Sequence, residues 1–156
     1  MTPTPRRVRR AVALTAEPER VYAFHLDTRN VSSIAPPGTR VEILDGTFPL
    51  TEGSRITLRM RQAPLPLWQT WTVRVATLVP HALMVDVAER SPFAFWRHSH
   101  AFHAVDGGTT MTDSVEYLLP GGPLVNRLAG PVMDRILMAV FALRHRRTVR
   151  VLAGRV

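Results

Sequence analysis

The chain has 156 residues, long enough for one domain with a proper core, and its 46% apolar and 21% charged residues are those of a globular protein. It has no cysteine, which excludes disulfides, thiolate nucleophiles and cysteine-based zinc sites. All 20 basic residues are arginine, which excludes a Schiff-base lysine and a phosphate-loop lysine.

The net charge of +8 gathers at the ends, in Arg6, Arg7, Arg9 and Arg10 and again in Arg144, Arg146, Arg147, Arg150 and Arg155. Such a surface attracts phosphate. No aromatic residues interleave with these arginines, however, and no nucleic-acid-binding motif accompanies them, so nucleic acid is not an expected partner. Weak contact of the basic ends with an anionic membrane stays open. No stretch approaches the roughly 18 apolar residues of a membrane span, and no signal-peptide core follows the first arginines, so the default expectation is a cytoplasmic protein.

Residues 8–14 alternate weakly and predict a first strand with its arginines facing out. Thr15 to Pro18 opens a helix, with Glu17 and Glu19 at the positive end of its dipole, and Val21, Tyr22, Phe24 and His25 continue it to Leu26. Asp27-Thr28-Arg29-Asn30 caps a second short helix to Ile34, which Ala35-Pro36-Pro37-Gly38 ends. Residues 40–44 predict a second strand. Residues 54–61 give a third, with Ile56, Leu58 and Met60 on one face and Arg55, Thr57, Arg59 and Arg61 on the other. A proline-rich link, residues 63–67, leads into residues 68–78, where Trp71, Val73 and Val75 alternate with Thr72, Arg74 and Ala76. Residues 83–89 form a fifth strand. Asp86 interrupts its apolar run, and the pattern leaves open which way it faces.

The most informative stretch runs from Phe95 to Tyr117. Asp106-Gly107-Gly108 between two alternating runs is a hairpin signal, because glycine supplies the positive φ of a tight turn. A Gly107-Gly108 loop pairs Asp106 with Thr109. It then sets Phe102 opposite Asp113, His100 opposite Val115 and His98 opposite Tyr117. Trp96, His98, His100 and Phe102 share a face with Met111, Asp113, Val115 and Tyr117. Water does not call for Trp and Phe on that face, and a plain core does not call for two His and an Asp. It reads as a pocket wall.

From Leu124 on, a single long helix carries the stripe Leu128, Val132, Ile136, Val140 and Leu143, with Pro131 expected to kink or split it. The order is strand, two short helices, six strands, long helix: an α+β architecture in which a curved seven-stranded antiparallel sheet wraps a C-terminal helix. One helix cannot fill a strongly bent sheet, so a cavity is expected between them.

Asp27-x-x-Asn30 with Ile34-Ala35-Pro36-Pro37, Gly53-Ser54-Arg55-Ile56, Pro92-Phe93, Trp96-x-His98-x-His100-x-Phe102 and Gly107-Gly108-Thr109-x-Met111-x-Asp113-x-Val115-x-Tyr117-x-x-Pro120-x-Gly122-Pro123-Leu124 resemble the helix-grip superfamily. That superfamily includes START lipid-binding domains and birch-pollen-allergen-like proteins. The resemblance is strongest to its bacterial SRPBCC branch of polyketide cyclase/dehydrase-like ligand-binding proteins, which the arginine-rich end from Phe141 to Arg147 also fits. It spans nearly the whole chain and implies one START-like domain over residues 1–156. It implies the fold far more strongly than an activity.

The expected function is to bind a small, mainly hydrophobic ligand (lipid, isoprenoid or polyketide-like) in the cavity. Ile56, Leu58, Met60, Trp71, Val73, Trp96, Phe102, Val115, Ile136 and Val140 are the expected apolar lining, and His98, His100, Asp113 and Tyr117 orient the polar end. No cofactor is expected. His98-x-His100 places two imidazoles about 7 Å apart on one face, but the only third metal ligand on this register is Asp113, so no metal is expected either. The alternative is a cyclase or dehydratase using His98 or His100 as base with Asp113 behind it. Monomer and homodimer are both compatible with the sequence.

Overall fold

Two-residue alternation lets a strand bury one face, and the stretches that carry it are strands in the computed structural model, which describes residues 4–153. Arg155, one of the C-terminal arginines, lies outside the described residues. β1 (Arg6–Leu14) leads into α1 (Pro18–His25), a 3-10 turn (Thr28–Asn30) and α2 (Val31–Ile34). There follow β2 (Thr39–Asp45), β3 (Arg55–Gln62), β4 (Gln69–Val79), β5 (Leu83–Arg90), β6 (Phe95–Val105), β7 (Gly108–Leu118) and α3 (Gly122–Ala153). The seven strands form one antiparallel sheet in the order β1-β7-β6-β5-β4-β3-β2. Bulges in the β2–β3 and β4–β5 pairs help to bend it. Asp27 closes the break after α1 as expected, its carboxylate accepting from the Arg29 N–H at 3.0 Å.

The hairpin register differs from expectation by one residue at the turn. Val105 pairs with Gly108, so the loop is Asp106-Gly107. His100 therefore lies opposite Asp113, His98 opposite Val115 and Trp96 opposite Tyr117. Gly107 takes the positive φ of the loop, at 79°. Gly108 is already in the strand, in a space no other residue could occupy: a Cβ there would stand 1.9 Å from the Leu14 carbonyl oxygen at the end of β1. Pairing moves by an even number of positions, so every side chain keeps its predicted face.

The long helix bears out one expectation and corrects another. It is one unbroken element from Gly122 to Ala153 with Pro131 inside it, not a pair of helices. Its buried face is Leu137, Phe141, His145, Thr148 and Leu152, whereas Leu128, Val132, Ile136 and Leu143 of the predicted stripe are exposed. The buried stripe has the same three-to-four-residue period but carries a His and a Thr, so counting apolar residues selects the wrong one. Leu137 and Phe141 pack with Val8, Val115 and Tyr117 in one core cluster, each contributing roughly 1.5–3 kcal/mol by burial. A second cluster, around Val21, Ile56, Trp71, Val75, Phe102 and Met111, joins α1 to the sheet.

Two of the terminal arginines tie other elements to the long helix. Arg6 pairs with Asp134 of α3, and Arg147 donates to the Ala35 carbonyl at 2.8 Å. Part of the basic charge therefore anchors β1 and α2 to the long helix.

Candidate functional site

A cavity of about 540 Å³ lies between the sheet and the helices, within the roughly 300–1,000 Å³ common to small-molecule sites. Alternation turns Ile56, Leu58 and Met60 of β3, Trp71 and Val73 of β4 and Trp96 of β6 into it, and α3 closes it with Ile136, Val140 and Phe141. Leu65 and Ile136 also line it while 61% and 49% exposed, which places the mouth between the β3–β4 link and the middle of α3.

His98 and His100 line this cavity. Phe102, Asp113, Val115 and Tyr117, expected to line it as well, do not. Phe102 is buried edge-on against Tyr22 of α1, with ring centroids 5.8 Å apart. Val115 is sealed beneath Phe141 and Leu137. Tyr117 is fully buried, its hydroxyl shared between the Gly130 carbonyl at 3.0 Å and Asp134 Oδ1 at 2.8 Å. All four lie on the stretch of the hairpin that α1 and α3 cover, so their shared face meets helix instead of open space.

Asp113 is the hub behind the wall. His98 Nε2–H donates to its Oδ1 at 2.8 Å, His100 Nδ1 stands 2.5 Å from the same oxygen, and His145 of α3 donates to Oδ2. Burial alone would raise the Asp113 carboxyl. Electrostatic attraction to His100, then its close contacts with His100, His145 and His98, overcome that and hold it well below the usual carboxylate range. His100 is itself pushed down, by burial and then by His98, against the pull of Asp113.

Sequence reasoning missed three residues here. Asp86 is the register partner of His98 across β5 and β6 and lines the cavity, with His98 Nδ1 3.9 Å from its Oδ2. Its side chain is 13% exposed, and burial pushes its carboxyl up to about 6. The facing that the pattern left open is thus toward the histidines, and Asp86 joins Asp113 as a second carboxylate there. His25 of α1 also lines the cavity, its ring 4.9 Å from that of His100, and burial lowers its pKa to about 3. His145 falls within the arginine-rich end, where nothing in the local sequence singles it out. A helical stripe drawn through Leu137 and Phe141 would have found it.

A bent antiparallel sheet gripping one long C-terminal helix defines the helix-grip class, here around a largely apolar cavity with a histidine-carboxylate pole. Residues 14–140 match the family model described as polyketide cyclase / dehydrase and lipid transport, and the chain belongs to that family. No curated protein matches it. Among solved structures, protein CV1439 from Chromobacterium violaceum superposes with a TM-score of 0.77 at 15% identity, over 96% of this chain and 98% of that one. TTHA0849 from Thermus thermophilus gives a TM-score of 0.67 at 18% identity, over 94% and 99%. The Zhui aromatase/cyclase from Streptomyces sp. R1128 gives 0.63 at 20%, over 96% and 92%. At these identities the likeness is one of fold. Among the described residues, no helix is long and apolar enough to cross a membrane.

Proposed function

We propose that this protein, acting as one START-like domain, binds a small, mainly hydrophobic ligand in the cavity between the sheet and α3. The reading rests on one observation: a cavity of about 540 Å³ walled largely by aliphatic and aromatic side chains, with Asp86, His98 and His100 among its polar lining. Apolar contact supplies most of the affinity, and the polar pole orients a hydroxyl or carbonyl at one end of the ligand. Native mass spectrometry of freshly purified protein should find a co-purified small molecule. Fatty acids, isoprenoids or aromatic polyketides should displace a fluorescent apolar probe. A protein that takes up neither probe nor panel, and melts at one temperature with all of them, refutes the reading.

A second reading is favoured by the His98–Asp113 pair. Asp113 fixes the proton on His98 Nε2, which leaves Nδ1 as a base toward the cavity, as cyclisation or dehydration of a polyketide requires. On that reading His98→Gln keeps ligand affinity within about tenfold and lowers turnover roughly a hundredfold or more. On the binding reading there is no turnover to lose.

A further inference from the structure

The polar pole has a geometry that an apolar ligand does not require. Asp86 and His98 face each other across β5 and β6, and His100 stands two residues along from His98, so three side chains of one sheet face converge. One nitrogen of each imidazole and one oxygen of Asp86 lie within 4.8 Å of one another. Behind the two rings, a single oxygen of Asp113 engages His98 Nε2 at 2.8 Å and His100 Nδ1 at 2.5 Å. An imidazole that gives one N–H to a carboxylate carries its lone pair on the other nitrogen. Asp113 therefore leaves a lone pair on His98 Nδ1, while His100 Nδ1, 2.5 Å from the same oxygen, makes no hydrogen bond of normal geometry to it. The Asp86 side chain makes no hydrogen bond to any described residue, and His98 Nδ1 stands 3.9 Å from its Oδ2.

We propose that Asp86, His98 and His100 form a binding site for a divalent first-row transition ion such as zinc, cobalt(II) or iron(II), with Asp113 as the outer carboxylate behind both imidazoles. Two imidazoles and one carboxylate suit these ions better than magnesium or calcium. Metal–ligand bonds of about 2.0–2.2 Å set donor atoms roughly 3–3.5 Å apart, so donor atoms that now lie within 4.8 Å of one another close on an ion by shifts of about 1–2 Å. Asp86 and Asp113 together carry the two negative charges that balance the ion. Arg144, which also lines the cavity, is the cation opposing it. Three protein ligands leave coordination positions open to the cavity, where water or an oxygen of a cavity ligand completes the shell. The site stands on its own residues and does not need the hydrophobic-ligand reading to hold. An ion there would occupy the His98 Nδ1 lone pair on which the proton-transfer reading depends.

The test uses the full chain, stripped with a chelator and titrated with cobalt(II) by visible absorption and with zinc by calorimetry, without organic ligand. One equivalent of each should bind at micromolar affinity or tighter, zinc displacing cobalt. Asp86→Asn and His100→Gln should each weaken binding roughly a hundredfold or more, while a His81→Asn, His103→Gln double variant, altering only exposed histidines, keeps it. Circular dichroism reports whether each variant folds. If the site variants do not fold, X-ray absorption of the zinc-loaded wild type decides, two imidazole ligands being required. The proposal is overturned by no saturable binding below about 100 µM in folded wild type. Undiminished affinity in both site variants, loss in the exposed-histidine control, or fewer than two imidazoles on the zinc would overturn it equally.

Discussion

Asp113 holds three imidazoles from two elements around a single carboxylate. Removing it leaves donors on β6 and α3 buried without an acceptor, so Asp113→Ala should lower stability by about 3 kcal/mol or more, read from urea unfolding at unchanged slope. Asp113→Asn keeps the shape but turns an NH2 toward an imidazole N–H, so it should destabilise as well. Tyr117 works in the same way at the Arg6–Asp134 pair. Burial and the hydrogen bond to Asp134, opposed by Arg6, push its phenol up to about 12 from an ordinary 10.0. A phenol raised on folding binds more protons in the folded state than in the unfolded one between those values. Its contribution is therefore complete below pH 10 and lost as pH rises toward 12. Tyr117→Phe should cost about 1–2 kcal/mol at neutral pH, and its urea midpoint should fall less steeply above pH 10 than that of the wild type. Equal slopes in the two proteins would contradict this account.

Two adjacent glycines at the β6–β7 turn separate backbone freedom from space. Gly107 has φ 79° and open space where a Cβ would stand, so Gly107→Ala should cost only about 1–2 kcal/mol for the left-handed conformation. At Gly108 the obstacle is the Leu14 backbone, which has no rotamer to change. Gly108→Ala should cost about 3 kcal/mol or more and loosen β1 from β7. Parallel thermal melts check the contrast, and equal losses would refute it. In α3, residues with aliphatic side chains lie on several sides, and which of them face the sheet depends on how the helix axis crosses it. Periodicity therefore located the helix but not its buried face.

For the molecule as a whole, the cavity and its mouth make a spectroscopic prediction. Trp71 and Trp96 line the cavity, whereas Trp68 lies outside it beneath Arg59 and Arg61, 4.7 and 5.2 Å from their guanidinium carbons. An apolar ligand should perturb tryptophan emission in wild type and in Trp68→Phe alike, and Trp71→Phe should remove much of the change. Ile136 is half exposed at the mouth, so Ile136→Arg should leave stability within about 0.5 kcal/mol. It should weaken ligand binding tenfold or more, about 1.4 kcal/mol, through a charge at the entrance.

Local rules were enough for the strands, the order of elements and the polar-decorated hairpin face. Alternation decides which side of a strand is apolar, and a turn residue decides where the chain reverses. The lining from Ile56, Leu58, Met60, Trp71, Val73, Trp96, His98 and His100 was legible for that reason. Asp86, His25 and His145 were not, because each reaches the histidine cluster from a different element, and no pattern within one segment records what another brings opposite it. By itself the sequence determined a bent sheet and a helix laid against it. The tertiary structure alone decided which parts of that face α1 and α3 cover and which remain open. Side-chain burial across elements is a property of their packing angles and distances, and those are set by the whole chain.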